Sequence, residues 1–258
     1  MKTTDTEFDP ELHARRASSF GAHAEVYAQH RPDYPAAAVD WALDAVRARN
    51  PLRVLDLAAG TGKLTEALLR HEAEVEVIAV EPDAEMLAEL QRRVPGVTAL
   101  AGSAEDIPLP DGAVDAVLVG QAFHWFDQDR ALPEIARVLR AEGVLCALWN
   151  YEDASVPWVA EFTEVARTSP GRMADQRRLQ THQAFAPFER VVFEHSQRRD
   201  ADSLVATVGT RSHTLVIEDR ERAELLDRVR AYLLSRPETA SGEFDLPMVT
   251  IAVRAIRG

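Results

Sequence analysis

The chain has one cysteine, Cys146, and two lysines, Lys2 and Lys63, among its 29 basic residues. A single cysteine forms no intrachain disulfide and no paired-thiol redox motif. Lying in the apolar run Val144 to Trp149, it reads as a small buried hydrophobe. No apolar run approaches the roughly eighteen residues that span a bilayer as a helix, and the start, Met1-Lys-Thr-Thr-Asp-Thr-Glu7, has no apolar signal core. The expectation is a cytoplasmic protein with no membrane partner. A Gly-x-Ser-x-Gly nucleophile elbow is missing, and no His/Cys/Asp/Glu group has zinc or calcium-loop spacing, so no metal is expected. Positive charge is also in deficit. With 42 acids the formal charge is −13, which disfavours nucleic acid because its phosphates would be repelled at long range. At 258 residues and 46% hydrophobic composition, without repeats or low-complexity segments, the chain can bury one α/β core plus a modest cap.

What is present concentrates between residues 53 and 81. Arg53-Val-Leu-Asp-Leu-Ala-Ala-Gly-Thr-Gly62 reads as a buried strand, a glycine turn and a helix start, and Val77-Ile-Ala-Val-Glu81 as a second strand ending in a carboxylate. Gly60 and Gly62 can adopt backbone conformations closed to other residues and leave no side chain between main chain and ligand. Glu81 then sits where a carboxylate can accept both ribose hydroxyl hydrogens. A phosphate-cradling P-loop would need glycine at position 57 and Ser or Thr at position 64, and both are leucine. A dinucleotide turn would need a small residue where Thr65 stands, which makes NAD or FAD the poorer fit. Asp56 discriminates further: a carboxylate repels a pyrophosphate but attracts a cationic amino-acid moiety, directly or through water.

On these residues the chain resembles the class I S-adenosylmethionine-dependent methyltransferases, in particular the small-molecule branch that includes trans-aconitate and juvenile-hormone-acid methyltransferases. The resemblance covers nearly the whole chain. Its first motif is Asp56-Leu-Ala58-Ala-Gly60-Thr-Gly62, its ribose acid Glu81 and its adenine segment Gly102-Ser103-Ala104-Glu105-Asp106-Ile-Pro108. Then come Gly120-Gln121-Ala122-Phe-His124-Trp125-Phe126 and the lead-in Leu139-Arg-Ala-Glu-Gly-Val144 to a fifth strand. The resemblance implies S-adenosylmethionine as cofactor, held by Asp56, Ala58, Gly60, Gly62, Glu81, Pro82, Met86, Ser103, Ala104, Glu105, Gln121 and Ala122. Two departures stand out: Ala58 replaces the family's first glycine, a mild loss of clearance, and Ser103 stands where an aspartate often receives the adenine amino group, which shifts weight to Glu105 or main-chain groups.

Strands and helices alternate to about residue 150, which predicts a mostly parallel sheet covered on both faces. Strands are expected at 53–58, 75–81, 97–101, 114–119 and 143–149, with helices at 35–49, 62–71, 83–93 and 128–140. Later strands are expected at Val191 to Phe193 and Val249 to Val253. By the resemblance these close a seven-stranded Rossmann-like sheet, its last strand antiparallel, while residues around 151–187 and 200–240 form a small helical lid. The domain expectation is a single unit over 1–258: an N-terminal segment 1–50 over the cofactor, a cofactor-binding core 51–150, and lid with closing strands 151–258.

Three acceptor-side or cofactor-side readings follow. In Tyr27-Ala-Gln-His-Arg31, the two outer side chains can share a helical face, and the resemblance assigns them the methionine carboxylate; the alternative is a plain surface helix ended by Pro32. His124, with Trp125 and Phe126, lies at the carboxyl end of the fourth strand and can serve as general base, or else only fix its loop. From 172 to 213, seven arginines against five acids give a local excess of positive charge, and Arg211, Ser212 and His213 are the candidates for lining an acceptor pocket. The function expected is methyl transfer to a small molecule, at carboxylate or hydroxyl oxygen and leaning to an anionic acceptor, by a monomer or homodimer. A catalytically silent cofactor-binding protein and an NAD-dependent oxidoreductase stay open as alternatives.

Overall fold

The computed structural model describes residues 31–71, 75–167 and 179–258. One sheet is formed by β1 Leu52–Leu57, β2 Val75–Glu81, β3 Thr98–Ala101, β4 Val114–Gly120, β5 Leu139–Glu152, β6 Glu189–Arg199 and β7 Phe244–Ile256. The spatial order is β3-β2-β1-β4-β5-β7-β6. Strands β1 to β5 pair in parallel, and β7 enters antiparallel between β5 and β6. This is the Rossmann-like sheet with an antiparallel last strand that the alternation and the resemblance led us to expect. Winding reverses between β1 and β4, so their carboxyl ends flank the crevice where open α/β sheets bind ligands.

Four helices, α1 Ala36–Leu43, α2 Lys63–Leu69, α3 Ala84–Arg93 and α4 Gln128–Val138, accompany this sheet, and α5 Pro157–Val165, α6 Ala201–Gly209, α7 Ser212–Leu215 and α8 Asp219–Ser235 follow. Strand β5 shows why its sequence is continuously apolar. Side chains alternate across a strand, so a strand covered on both faces has no polar side. Leu145, Ala147 and Trp149 join Leu132 and Ile135 of α4, whereas Val144, Cys146 and Leu148 pack with Val39 of α1 and Leu64 and Leu68 of α2. Cys146 is fully buried, and burial pushes its thiol up to about 12, so it packs as a hydrophobe.

A separate apolar cluster joins Trp158 and Phe162 of α5, Leu204 and Val208 of α6, Leu225 and Val229 of α8, and Phe244, Leu246 and Met248 of β7. The helical cap therefore has its own core, and β7, whose far end pairs with β5 in the main sheet, ties the two together. Among the described residues no helix is long and apolar enough to cross a membrane.

Several boundaries differ from expectation for local reasons. The helix expected to reach 140 stops at Val138, because Leu139 is already extended at ψ 142° and opens β5. The helix expected over 35–49 ends as an α-helix at Leu43 and finishes in a single tight turn, Asp44–Val46. Strands β6 and β7 are far longer than their apolar centres. The flanks of β6 are polar and alternate only in exposure, while Phe244 to Met248 of β7 alternates buried apolar residues with Asp245 and Pro247, as an antiparallel pair at the sheet edge allows.

Candidate active site

After β1 the chain turns through left-handed residues: Ala58 at φ 56°, Gly60 at 57° and Gly62 at 88°. That region costs a residue bearing a Cβ roughly 1–2 kcal/mol, which the glycines avoid and Ala58 does not. Gly62 has a second reason to be glycine, since a Cβ there would stand 3.1 Å from Leu90 Cγ of α3. Glu81, at the end of β2, grips this turn. Its Oε2 accepts the Gly60 N–H at 2.8 Å and its Oε1 the Asp83 N–H at 2.9 Å, across Pro82. An ionised carboxylate offers about four lone-pair sites, so both oxygens can still accept hydroxyl hydrogens. Glu81 is only 5% exposed, and burial raises its pKa to about 7. Asp83 caps α3 by accepting the N–H groups of Glu85 and Met86 at 3.0 and 2.9 Å. The cap sets Met86 beside the turn, its Sδ 3.7 Å from where a Cβ on Gly60 would be.

Beneath the turn, Asp56 is fully buried. Its Oδ2 accepts the Thr65 hydroxyl at 2.6 Å, and its Oδ1 has no hydrogen-bond partner among the described residues. Burial raises its pKa to about 7, against the lowering effect of the Thr65 hydrogen bond. Thr65, weighed from sequence only as an ill-fitting third small residue, is thus the residue that holds Asp56. An orphaned buried carboxylate oxygen, left-handed glycines and a second carboxylate with acceptor capacity together fit the ammonium, the close main-chain approach and the ribose of S-adenosylmethionine.

The loop after β3 is drawn to the same edge by the Gly102 N–H on the Glu81 carbonyl at 3.3 Å. Ser103 Oγ accepts the Glu105 N–H at 3.3 Å, Ala104 is buried, and Glu105 Oε1 accepts the Asp127 N–H at 3.0 Å, fastening the loop to the start of α4. Beyond β4, Gln121 is left-handed at φ 59°. Its N–H goes to the Leu148 carbonyl at 2.8 Å and its Nε2 to the Asn150 carbonyl at 2.9 Å. Ala122 and Phe126 pack against the core, Phe126 on buried Phe123 with ring centroids 5.2 Å apart. His124 and Trp125, both partly exposed, lie ring against ring at 4.8 Å. Phe126 is thus an anchor of the loop, next to the partly exposed His124-Trp125 pair.

Residues 31–34 reach this edge from far away in sequence. Asn150 Nδ2 donates to the Asp33 carbonyl at 3.1 Å, Lys63 Nζ lies 3.3 Å from Asp33 Oδ1, and Arg31 Nη2 donates to the Thr210 carbonyl at 3.1 Å, at the end of α6. Arg211 forms an ion pair with Glu152 of β5, and its guanidinium lies 5.9 Å from the centre of the Phe162 ring, so it fastens the cap to the sheet. Tyr27 lies outside the described residues, as do the side chains of Ser212 and His213. Sequence reasoning missed Asn150 and Thr250, whose hydroxyl donates to Asn150 Oδ1 at 2.5 Å. The available signal was a polar residue directly after the apolar run 144–149, at the ligand-binding edge of the sheet.

A family model described as a methyltransferase domain matches residues 55–147. An uncharacterised methyltransferase of Mycobacterium tuberculosis is 42% identical over 238 residues, covering 92% of this chain and 95% of its own length. Another, from Schizosaccharomyces pombe, is 33% identical and covers 88% of this chain and 92% of its own. The solved structure of a proposed type II methyltransferase from Anaeromyxobacter dehalogenans matches with a TM-score of 0.64 at 28% identity, over 88% of this chain and 97% of that one. These likenesses run through the cap as well as the cofactor turn, and they set aside the oxidoreductase. The chain belongs to the class I S-adenosylmethionine-dependent methyltransferases.

Proposed function

We propose that the protein transfers a methyl group to an oxygen, carboxylate or hydroxyl, of a small-molecule acceptor by direct in-line displacement, as in the branch typified by trans-aconitate and juvenile-hormone-acid methyltransferases. The observation that carries this reading is the meeting, at one sheet edge, of the 58–62 turn, Glu81 and the His124-Trp125 loop, beside a cap with its own core. S-adenosylmethionine supplies, when bound, a methyl group already activated on a sulfonium. What is left to the protein is alignment and exclusion of water, which supply most of the acceleration in such a transfer.

In this reading the turn of Ala58, Gly60 and Gly62 lets the main chain approach the cofactor, and Asp56 Oδ1 faces its ammonium directly or through water. Glu81 accepts the ribose hydroxyl hydrogens, while Pro82 and Met86 wall that side. Ser103, Ala104 and Glu105 border the adenine, Gln121 and Ala122 close the opposite wall, and Tyr27 with Arg31 takes the methionine carboxylate. His124 removes the proton of a hydroxyl acceptor, whereas a carboxylate acceptor needs no base. Trp125 covers the acceptor, and Arg211, Ser212 and His213 border it from the cap. The chain works as one domain, with residues 1–50 over the cofactor, 51–150 as its binding core and 151–258 as lid and closing strands. We place it in the cytoplasm, as a monomer or homodimer.

The test is transfer of labelled methyl from S-adenosylmethionine to a panel of carboxylic acids, phenols, thiols and amines, followed by alkali. Methanol released by alkali identifies an ester and a positioning-only mechanism. An alkali-stable phenol ether instead makes His124 the base, and labelling confined to sulfur or nitrogen refutes the oxygen assignment.

A further inference from the structure

Next to the cofactor turn, the same sheet edge carries a cleft of about 420 Å³ between residues 31–35, Lys63 at the start of α2, and His195–Arg199 at the end of β6. Among its described lining residues cations outnumber acids in a chain whose formal charge is −13: Lys63, Arg198, Arg199 and Arg31, the last assigned above to the methionine carboxylate, against Asp33. His195 adds no charge of its own, because burial lowers its pKa. Its Nε2 lies 3.0 Å from Thr250 Oγ1, whose one hydrogen goes to Asn150 Oδ1, so Nε2 carries the proton. Arg198 stands 3.3 Å from Glu243 and 3.5 Å from Asp245, two acids outside the cleft lining. Arg199 lies deeper, and its Nη2 donates to Gln197 Oε1 at 2.9 Å. Burial lowers the Arg199 pKa in spite of Asp33, Asp200 and Glu152 nearby. A desolvated cation of this kind is stabilised by an added counter-charge.

The cleft adjoins the methyl-transfer site. Tyr34 lines it and also rests on Gly120 at the end of β4. Asn150 holds the Asp33 carbonyl on the cleft side and, through its own carbonyl, the side chain of Gln121 on the other. One layer of side chains thus separates the cationic hollow from the loop that walls the cofactor.

We infer that this cleft holds an anionic group of the acceptor, a carboxylate or phosphate separate from the oxygen that is methylated, with Arg198 and Arg199 as its specificity-determining residues. The inference rests on the methyltransferase reading with a small-molecule acceptor, and it gives that acceptor a class: a molecule with one nucleophilic oxygen and a second, anionic handle. Guanidinium forks suit such a group, since they pair with both oxygens of a carboxylate or phosphate. The cofactor's own methionine carboxylate is the competing source of the same chemistry, so the test is run with the cofactor site filled.

Inorganic phosphate, succinate and uncharged succinamide are titrated calorimetrically into the full chain saturated with S-adenosylhomocysteine. Both anions are expected to bind and succinamide not to. Arg199→Gln and Arg198→Gln are each expected to weaken anion binding about tenfold, the loss of one charge-assisted contact, with S-adenosylhomocysteine affinity unchanged. Arg198 is more than half exposed, so its variant keeps the test decisive should Arg199→Gln fail to fold. The inference is overturned if the saturated protein binds neither anion, if both variants bind anions as the wild type does, or if the anions displace S-adenosylhomocysteine. Wild-type protein that does not bind S-adenosylhomocysteine at all refutes the methyltransferase reading and this inference with it, whereas cofactor binding without anion binding refutes the inference alone.

Discussion

The hydroxyl end of Tyr34 lies across Gly120 so closely that a Cβ at position 120 would stand 2.5 Å from its Oη and 3.0 Å from its Cζ. Tyr34 is 8% exposed, and the contact fastens the chain before α1 to the end of β4, where Gln121 turns left-handed. Gly120→Ala is therefore expected to cost about 1–3 kcal/mol by overpacking, measured by urea denaturation. Tyr34→Phe removes the nearest atom and is expected to recover part of that loss in the double variant. Strict additivity of the two substitutions would mean that the contact is not what constrains position 120.

A second prediction concerns the buried pair Thr65 and Asp56. Thr65→Val keeps the shape but removes the hydroxyl that Asp56 Oδ2 accepts at 2.6 Å. Leaving a buried acceptor unsatisfied costs about 1–3 kcal/mol, so the variant is expected to melt lower by several degrees, whereas Thr65→Ser, which keeps the donor, recovers most of the stability. Equal destabilisation by Val and Ser would assign the effect to packing of the methyl group.

The contrast between these residues shows what the sequence discloses. The strands up to β4 were legible almost to the residue, because each is a mainly apolar run ended by a turn, buried in β1 and β4 and only partly so in β2 and β3. Asp56 and Glu81 were legible because a carboxylate within or at the end of such a run is anomalous unless it has a task. Strands β6 and β7 appeared only as their apolar centres, since one exposed face dilutes the pattern. Asn150 left only the faint mark of a polar residue ending an apolar run and Thr250 left none, as their meaning lies in contacts with residues 117 and 100 positions away. Arg211 was noticed for its charge, yet its partner Glu152 is 59 positions off, and no local pattern announces the pair.

That ion pair makes its own prediction. Arg211 and Glu152 are 17% and 18% exposed at their side chains and join the cap to the end of β5. Arg211→Gln and Glu152→Gln are each expected to destabilise the protein by about 1–3 kcal/mol, since each leaves the other charge partly buried without its partner, and the double variant by less than their sum. In turnover, Arg211→Ala is expected to lose more activity with acidic than with neutral acceptors. Equal losses would leave Arg211 a strut between cap and sheet and remove it from acceptor recognition.

The two carboxylates under the cofactor turn make binding and stability respond to pH in opposite senses. Burial raises Glu81 from 4.5 and Asp56 from 3.8, each to about 7. Between those limits the folded ligand-free protein holds protons that the unfolded chain has released, so the pair's contribution to stability is fully present below the unfolded values and is lost as pH rises through about 7. In the proposed binding mode the cofactor favours the ionised forms, with Glu81 accepting ribose hydroxyl hydrogens and Asp56 facing an ammonium. S-adenosylhomocysteine affinity is thus expected to rise from pH 6 to pH 8, with protons released on binding in the lower part of that range. Calorimetry in buffers of different ionisation enthalpy reads that release directly. Near pH 6.5 the binding enthalpy is expected to depend on the buffer, near pH 8.5 hardly at all, and Glu81→Gln is expected to bind more weakly and to release fewer protons. A buffer-independent enthalpy at pH 6.5 in the wild type would mean that both carboxylates are already ionised before the cofactor arrives, and that Thr65 and the Gly60 and Asp83 amides outweigh their burial.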